Sequence, residues 1–302
     1  MRLTSVVALA LLLTACDGDI VVGTYTYPPA ASAAASPTSS PSPSAGRFGA
    51  IEHATGRTDV VLRFEFIGGF VLPTFLATQA PIFTLYGDGS VIVRNPRETP
   101  FPLVGSVAVG RPFLSVFLTE DQIQALLADA LDRGGLRVAR ADYSANQVMD
   151  LPTAVFTINA GGISKQVAIT GLGMDIGSTP DDAALAAFLA LSTRLENFDN
   201  SDYNGTASWS SSRYRGSLLE GQAGAPDAMP WPWTTIAPAD FVVDPDPNGF
   251  PLPARALSQA EVQAMRLTFP YDGGFQGLPL IGPGDGRIYS LSLRPLLPDE
   301  SK

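Results

Sequence analysis

Few side chains in this sequence are placed to do chemistry. Ser164 and Lys165 form an adjacent hydroxyl and amine pair, and a desolvated lysine can act as base for a serine nucleophile. Successive residues of a strand point to opposite faces, however, so the two side chains diverge and Lys165 is expected at the solvent face of a hairpin. His53 is the only histidine and Cys16 the only cysteine, too few for the roughly four N/S ligands of a structural metal site. No G-x-S-x-G turn occurs, and His53 follows a low-complexity tract, so a Ser-His-Asp arrangement is not expected. Asp142 with Asp150, or Asp240 with Asp244, could supply the two acids of a carboxylate-dependent hydrolase acting on envelope glycan or peptide, because glycosidic chemistry needs only two carboxyls at a set separation. Asp244-Pro245-Asp246-Pro247-Asn248-Gly249 opens like a calcium loop, but Arg255 stands at position twelve where a bidentate Glu is wanted. A solvated turn is the expectation there, with no metal and no cofactor.

Trp209, Trp231 and Trp233, with Tyr203, Tyr214 and Phe241, make an aromatic-rich zone interleaved with Pro and Ser. Trp231-Pro232-Trp233 is the natural ligand-contact segment of a binding module, since the proline stiffens the backbone and two rings offer a large contact area. The alternative is that these rings fill the core beneath a long loop.

The elements that must position these residues begin at the N-terminus. Arg2 precedes an apolar run from Val6 to Leu13, followed by Thr14, Ala15 and Cys16. This reads as a secretory signal, too short to span a bilayer as a mature helix. Leu13-Thr14-Ala15-Cys16 resembles the lipobox of bacterial lipoproteins. The resemblance implies cleavage before Cys16 and acylation of its thiol, with residues 1–15 removed and the membrane as partner through lipid. Asp17 resembles the retention signal that keeps such proteins at the inner membrane of enteric bacteria. Residues 16–48 then hold a Pro/Ser/Ala tract without hydrophobic period, which reads as a tether. Such a tract reaches roughly 30 Å as a coil and up to ~90 Å as polyproline II.

Residues 49–302 read as a globular α+β body, mainly antiparallel, with two or three amphipathic helices and a possible division into 49–198 and 199–302. Val60, Leu62, Phe64 and Phe66 alternate with Arg63 and Glu65, which predicts a half-buried strand. Gly87-Asp88-Gly89 joins 83–86 to 90–93 as a hairpin, and another strand lies in Leu103–Phe117, interrupted at Gly110-Arg111-Pro112. Thr119 and Gln122 form a capping box ahead of the stripe Ile123, Leu126, Leu127, Ala130 and Leu131, stopped by Gly134-Gly135. A second hairpin turns at 160–162. A second helix starts at Thr179-Pro180 and turns Leu185, Phe188, Leu189, Ser192 and Leu195 inward. Residues 199–248 read as loops with short strands. Ser258 and Glu261 cap a short helix, and Ile288–Leu293 alternates as a last strand. The similarity of Leu118–Leu126 to Leu257–Met265 suggests a duplication.

The order of these elements from Phe83 to Leu195, with FTLYGDGSVIV, LTEDQIQALL and Asp150-Leu151-Pro152-Thr153, looks like that of a group of secreted or lipid-anchored bacterial proteins with no assigned activity. The segment Arg294–Glu300 resembles their tail. That resemblance supports the fold and transfers no activity. The net charge of −10 falls to −11 once residues 1–15 and Arg2 are gone, which argues against nucleic acid and against adsorption to anionic lipid. The expectation is a lipid-anchored, non-enzymatic binding or scaffolding protein of the cell envelope, on the periplasmic or outer face, whose partner is an envelope protein, peptide or glycan.

Overall fold

The computed structural model describes residues 49–94, 103–143, 150–174, 179–198, 205–221, 225, 227–243, 252–284 and 286–301. Cys16, the leader, the tract to residue 48, Tyr203 and the 244–249 turn lie outside these residues. The described residues belong to one compact unit.

The body opens with β1 (Val60–Gly68), α1 (Pro73–Ala77), β2 (Phe83–Tyr86), β3 (Ser90–Val93), β4 (Leu103–Val104), β5 (Val107–Val109) and β6 (Phe113–Phe117). Then come α2 (Glu120–Ala128), which widens into a π turn at Asp129–Arg133, β7 (Asp142–Tyr143), β8 (Pro152–Ala160), β9 (Ile163–Thr170) and α3 (Asp182–Glu196). The remainder supplies β10 (Ala207–Trp209), β11 (Arg213–Glu220), β12 (Met229–Pro230), β13 (Val242–Val243), β14 (Pro253–Ser258), α4 (Gln259–Gln263), β15 (Phe275–Ile281) and β16 (Ile288–Pro295).

The fold is α+β, built on two mainly antiparallel sheets. Sheet A runs β10-β6-β3-β2-β1-β8-β9-β7, and sheet B runs β13-β14-β11-β16-β15-β5-β4 with β12 added in parallel beside β15. Alternation along β1 sorts its side chains as period two requires. Leu62 and Phe64 enter the core under the helices, where Phe64 stacks on its register partner Phe156 at 4.7 Å, while Arg63 faces the other side.

Helix α2 carries both halves of its capping box: the Thr119 side chain accepts from the Gln122 backbone N–H, and the Gln122 side chain accepts from the Thr119 N–H at 2.8 Å. Its stripe Ile123, Leu126 and Leu127 continues through Ala130 and Leu131 of the π turn, all buried. Gly134 closes this helix against α3, for a Cβ there would lie 2.8 Å from Leu191 Cδ2. Helix α3 starts two residues later than its sequence signals suggest, with the Thr179 N–H and hydroxyl both donating to Asp182 Oδ1. Its inner face is Phe188, Leu191, Ser192 and Leu195, an i, i+3, i+4, i+7 stripe. Leu189 sits a hundred degrees round from Phe188 and is 42% exposed, which corrects its expected inward position.

The division at residue 198 gives way to interleaving. Strands β4 and β5 come early in the chain yet join sheet B, while β10 comes late and joins sheet A. The chain changes sheets at Gly110-Arg111-Pro112, where Gly110 N–H donates to Gly274 O at 2.9 Å and a Cβ on Gly273 would fall 1.9 Å from Arg111 O. It changes again at 210–212 between β10 and β11. The two strand orders are not copies of one another, although α2 and α4 each follow the second strand from one edge of a sheet.

Three hydrophobic clusters result: one between sheet A and α2/α3, one between sheet B and α4 with the tryptophan segment, and a small one of Ala80, Tyr86, Ile92, Phe113 and Leu297 on the opposite face of sheet A. Among the described residues, all three are built from side chains at position 51 and beyond. Leu126 and Leu127 are wholly buried. Truncating either to alanine should cost about 2–5 kcal/mol through lost transfer free energy and a residual cavity, measured as a lower urea midpoint at unchanged slope.

Candidate functional site

The residues with chemical potential are separated by the fold. Ser164 and Lys165 do diverge: Ser164 Oγ donates to Asn159 Oδ1 at 2.7 Å, and Lys165 Nζ donates to the carbonyls of Ala139 at 2.8 Å and Arg137 at 3.2 Å. Lys165 is thus half-buried beneath the turn that follows the π segment rather than standing in solvent, because two orphan carbonyls there attract an ammonium. His53 bridges to Ala160 beside the β8–β9 turn, with one ring nitrogen 2.7 Å from Ala54 O and the other 3.4 Å from Glu120 Oε1. With Ile51, whose backbone pairs with the Gln124 amide, it fastens the incoming chain to α2.

Asp142 and Asp150 are not brought together as a dyad. Asp142 on edge strand β7 is in register with Ala168 and, through β9, with Val155, five residues from Asp150. That offset is roughly 15 Å along the strands, beyond the spacing either glycosidase geometry uses. Asp240 accepts from Ala237 N–H at 2.8 Å in a one-turn helix, and Asp244, with the calcium-like turn, lies outside the described residues.

Trp231 and Trp233 are brought together with Phe241 and Tyr289 on sheet B. The indoles meet edge to face at 5.2 Å, and Trp231 also approaches Tyr289 at 6.0 Å and Phe241 at 6.4 Å. Both indole N–H groups donate inward, Trp231 to Ile236 O at 2.6 Å and Trp233 to Glu261 O at 2.8 Å. Trp233 is 8% exposed and belongs to the core, so its ring is committed to packing α4 against the sheet. Trp231 is half-buried and keeps an open edge beside half-buried Tyr289, with exposed Val242 and Val243 following Phe241 in the chain. Contact with a ligand is therefore available to Trp231 and not to Trp233.

Sequence reasoning missed a buried charged cluster built around residues 294–301. Arg63 Nη2 and Tyr86 Oη both donate to Asp299 Oδ1 at 2.7 Å. Arg294 donates in a bidentate fork to Glu300 at 2.7 and 2.8 Å. The same carboxylate accepts from Leu297 N–H at 2.8 Å. Arg213, on β11, donates to the Glu300 and Ser301 carbonyls, and Ser211 Oγ donates to Leu296 O at 2.9 Å. Burial pulls the Arg63 guanidinium down, but the Asp299 carboxylate outweighs it and holds the group more firmly charged. Arg94 is lowered by burial and by the nearby positive charge of Arg294. Burial, then the Asp299 carboxylate, raises the Tyr86 phenol far above its ordinary value. The only sequence signal was the Arg63/Glu65 face of β1, which resembled an ordinary solvated strand face.

No family model, curated protein or solved structure matches this chain. Among the described residues, no three His, Cys, Asp or Glu side chains group as metal ligands, and no helix is long and apolar enough to cross a membrane.

Three outcomes follow from this geometry. Trp233→Ala should destabilise the body by about 3–5 kcal/mol, as a large buried ring is lost, and Trp231→Ala by clearly less, both read from thermal melts. Asp299→Asn should cost about 3–5 kcal/mol because Arg63 is left buried without its counter-charge, whereas Arg63→Met with Asp299→Leu should cost less than the single change. The raised phenols set a pH dependence. Tyr214 is pushed up to about 12 by burial, with Asp272 and Tyr271 adding to it, and Tyr86 is raised too. Both folded phenols stay protonated while the unfolded chain ionises from pH 10. The stabilisation is complete below that pH and declines above it by about 1.4 kcal/mol per unit for each phenol, ending near pH 12 for Tyr214. Urea unfolding between pH 9 and 11.5 should show this decline, and Tyr86→Phe should remove part of its slope.

Proposed function

We propose that this chain is an exported, lipid-anchored protein of the bacterial cell envelope whose body is a non-enzymatic binding or scaffolding module. One observation carries the reading: the lone cysteine of the sequence closes Leu13-Thr14-Ala15-Cys16 at the end of an apolar run headed by Arg2. The thiol of Cys16 takes lipid, and because one acyl chain holds a protein only marginally, the anchor carries two or three. The acidic body is kept in water by its charge, while the tract to residue 48 gives it reach.

The arrangement of ionisable groups supports a binding role over a catalytic one. Asp299, Glu300, Asp129, Arg63 and Arg294 are engaged in ion pairs that hold elements together, and the candidate acids Asp142 and Asp150 are far apart. The open edge of Trp231 beside Tyr289 is the surface offered to an envelope peptide, protein or glycan, because a half-exposed aromatic pair supplies contact area with little loss of side-chain entropy.

Growth with labelled palmitate tests the anchor. The parent should incorporate label and partition into detergent, and Cys16→Ser should lose the label altogether. Equal labelling of the two would overturn the reading.

A further inference from the structure

The end of sheet A opposite His53 carries an apolar tip whose side chains are exposed among the described residues. Register places three loops there. Gly68 is opposite Pro152, and Thr153 is opposite Thr170, so the segments 68–72, 150–151 and 171–174 emerge at one end of the sheet. They are tied together: Phe70 N–H donates to Asp150 O at 3.2 Å, Gly171 N–H to Pro152 O at 2.9 Å, and Met174 N–H to Gly171 O at 3.0 Å. Gly68, Gly69, Gly171 and Gly173 all have positive φ, which lets the loops reverse while their side chains project outward. Phe70 is 90% exposed and Leu72 73%, with Val71, Met174 and Leu189 also exposed. Leu189 joins them because its Cδ1 lies 3.2 Å from where a Gly173 Cβ would be. Large apolar side chains gathered from three segments are not the scattered exposed residues of an ordinary surface.

We infer that this tip dips into the lipid bilayer that carries the anchor, an inference that rests on lipid attachment at Cys16. Three observations favour a bilayer over another occupant. The tip is a set of protruding loops rather than a groove, so a peptide has no trough to lie in. Residues 68–74 and 171–174 carry no charge, and the charged residues that flank them in the sequence are the acids Asp150 and Asp175, which leaves the apolar side chains themselves to meet the neutral interface of a bilayer and gives an acidic partner nothing to read. The dimensions also agree. His53 pairs with Ala160 at the opposite end of β8, so the incoming chain and Phe70 are separated by the length of a nine-residue strand plus a loop, roughly 30 Å. The tract of about 30 residues from Cys16 has an r.m.s. span of roughly 30 Å as a coil. An anchor whose tether length matches the distance to a second contact gives that contact its highest effective concentration, and lipid plus interfacial side chains make the pair of signals that stable attachment needs. The acidic surface contributes no attraction to anionic headgroups, so the tip acts through Phe70 and Leu72 and not through charge.

The single cysteine allows a test that does not depend on acylation in the cell. Residues 16–302 are coupled through Cys16 to maleimide lipid in phosphatidylcholine vesicles, which restores the anchor chemically. Phe70→Trp adds a fluorophore at the tip, and Val138→Trp, at an 85% exposed position on the turn near Lys165, adds one away from it. The inference expects brominated phosphatidylcholine to quench the added emission of Phe70→Trp at least twofold and to leave that of Val138→Trp unchanged, with the quenching abolished by Leu72→Ser. Equal, weak quenching at both positions would overturn it. Concentration-dependent dimerisation of uncoupled residues 41–302, reversed by Leu72→Ser, would overturn it in favour of a second copy of the chain. Loss of the anchor reading would appear separately, as unchanged palmitate labelling in Cys16→Ser.

Discussion

Asp299 sits where two sheets, two arginine-bearing strands and the last described segment converge. Its carboxylate takes protons from Arg63 on β1 and Tyr86 on β2, while its neighbour Glu300 grips Arg294 on β16. Sheet A and sheet B are thus connected through six residues of chain, not only through a shared apolar layer. The layer between them explains why. Thr78, Thr84, Ser217, Ser292 and Arg294 are all buried, and α1 reaches sheet B through the hydrogen bond from Gln276 Nε2 to Thr78 Oγ1 at 2.7 Å. Polar side chains buried in such a layer are destabilising unless met by a partner; segment 296–301 delivers two carboxylates that meet Arg63, Tyr86 and Arg294 in bonding geometry, while the buried Ser217 Oγ has no partner among the described residues.

That constraint orders the rest of the chain. The chain must leave sheet B after β5 for β6 to reach sheet A, and the crossing is possible because Gly110, Gly273 and Gly274 bring three backbones closer than any Cβ permits. The chain returns at 210–212, where Ser211 Oγ holds the carbonyl of Leu296. A body stitched in this way unfolds as one unit, because neither sheet keeps its edge partners or its counter-charges alone.

The legible part of the fold was the part governed by period and capping. β1, the two glycine-turn hairpins, the Thr119 box and the Ser258 box each have a local cause, and each formed where the residues put it. Strand β11 was not legible, since RYRGSLLE presents Arg215 and Ser217 to the polar layer and hides the alternation that marks a half-apolar strand. The assignment of β5 and β6 to different sheets was equally hidden, for it depends on a close backbone approach between residues far apart in sequence. Of the candidate site, Trp231 and Trp233 were found by residue type, yet what separates them is tertiary: the acceptor for Trp233 is a carbonyl of α4, and that contact takes the ring out of reach of solvent. Beyond the Arg63/Glu65 face of β1, the Asp299 cluster had no local pattern, since its members are drawn from β1, β2 and a segment more than two hundred residues away.

The two ends of sheet A therefore serve opposite demands. At the end where the chain arrives, His53, Ile51 and Gln124 tie the first described residues to α2, so a pull on the tether would be transmitted into the best-packed helix and its core. At the other end the described loop residues are glycine-rich, with Asp150 itself held at positive φ, a conformation that costs a non-glycine residue of order 1–3 kcal/mol. The backbone there accepts strain in order to set Phe70 and Leu72 outside the body. A fold selected for solubility alone would have no reason to maintain that arrangement, so the exposure of Phe70 and Leu72 marks an apolar contact rather than an accident of the loop.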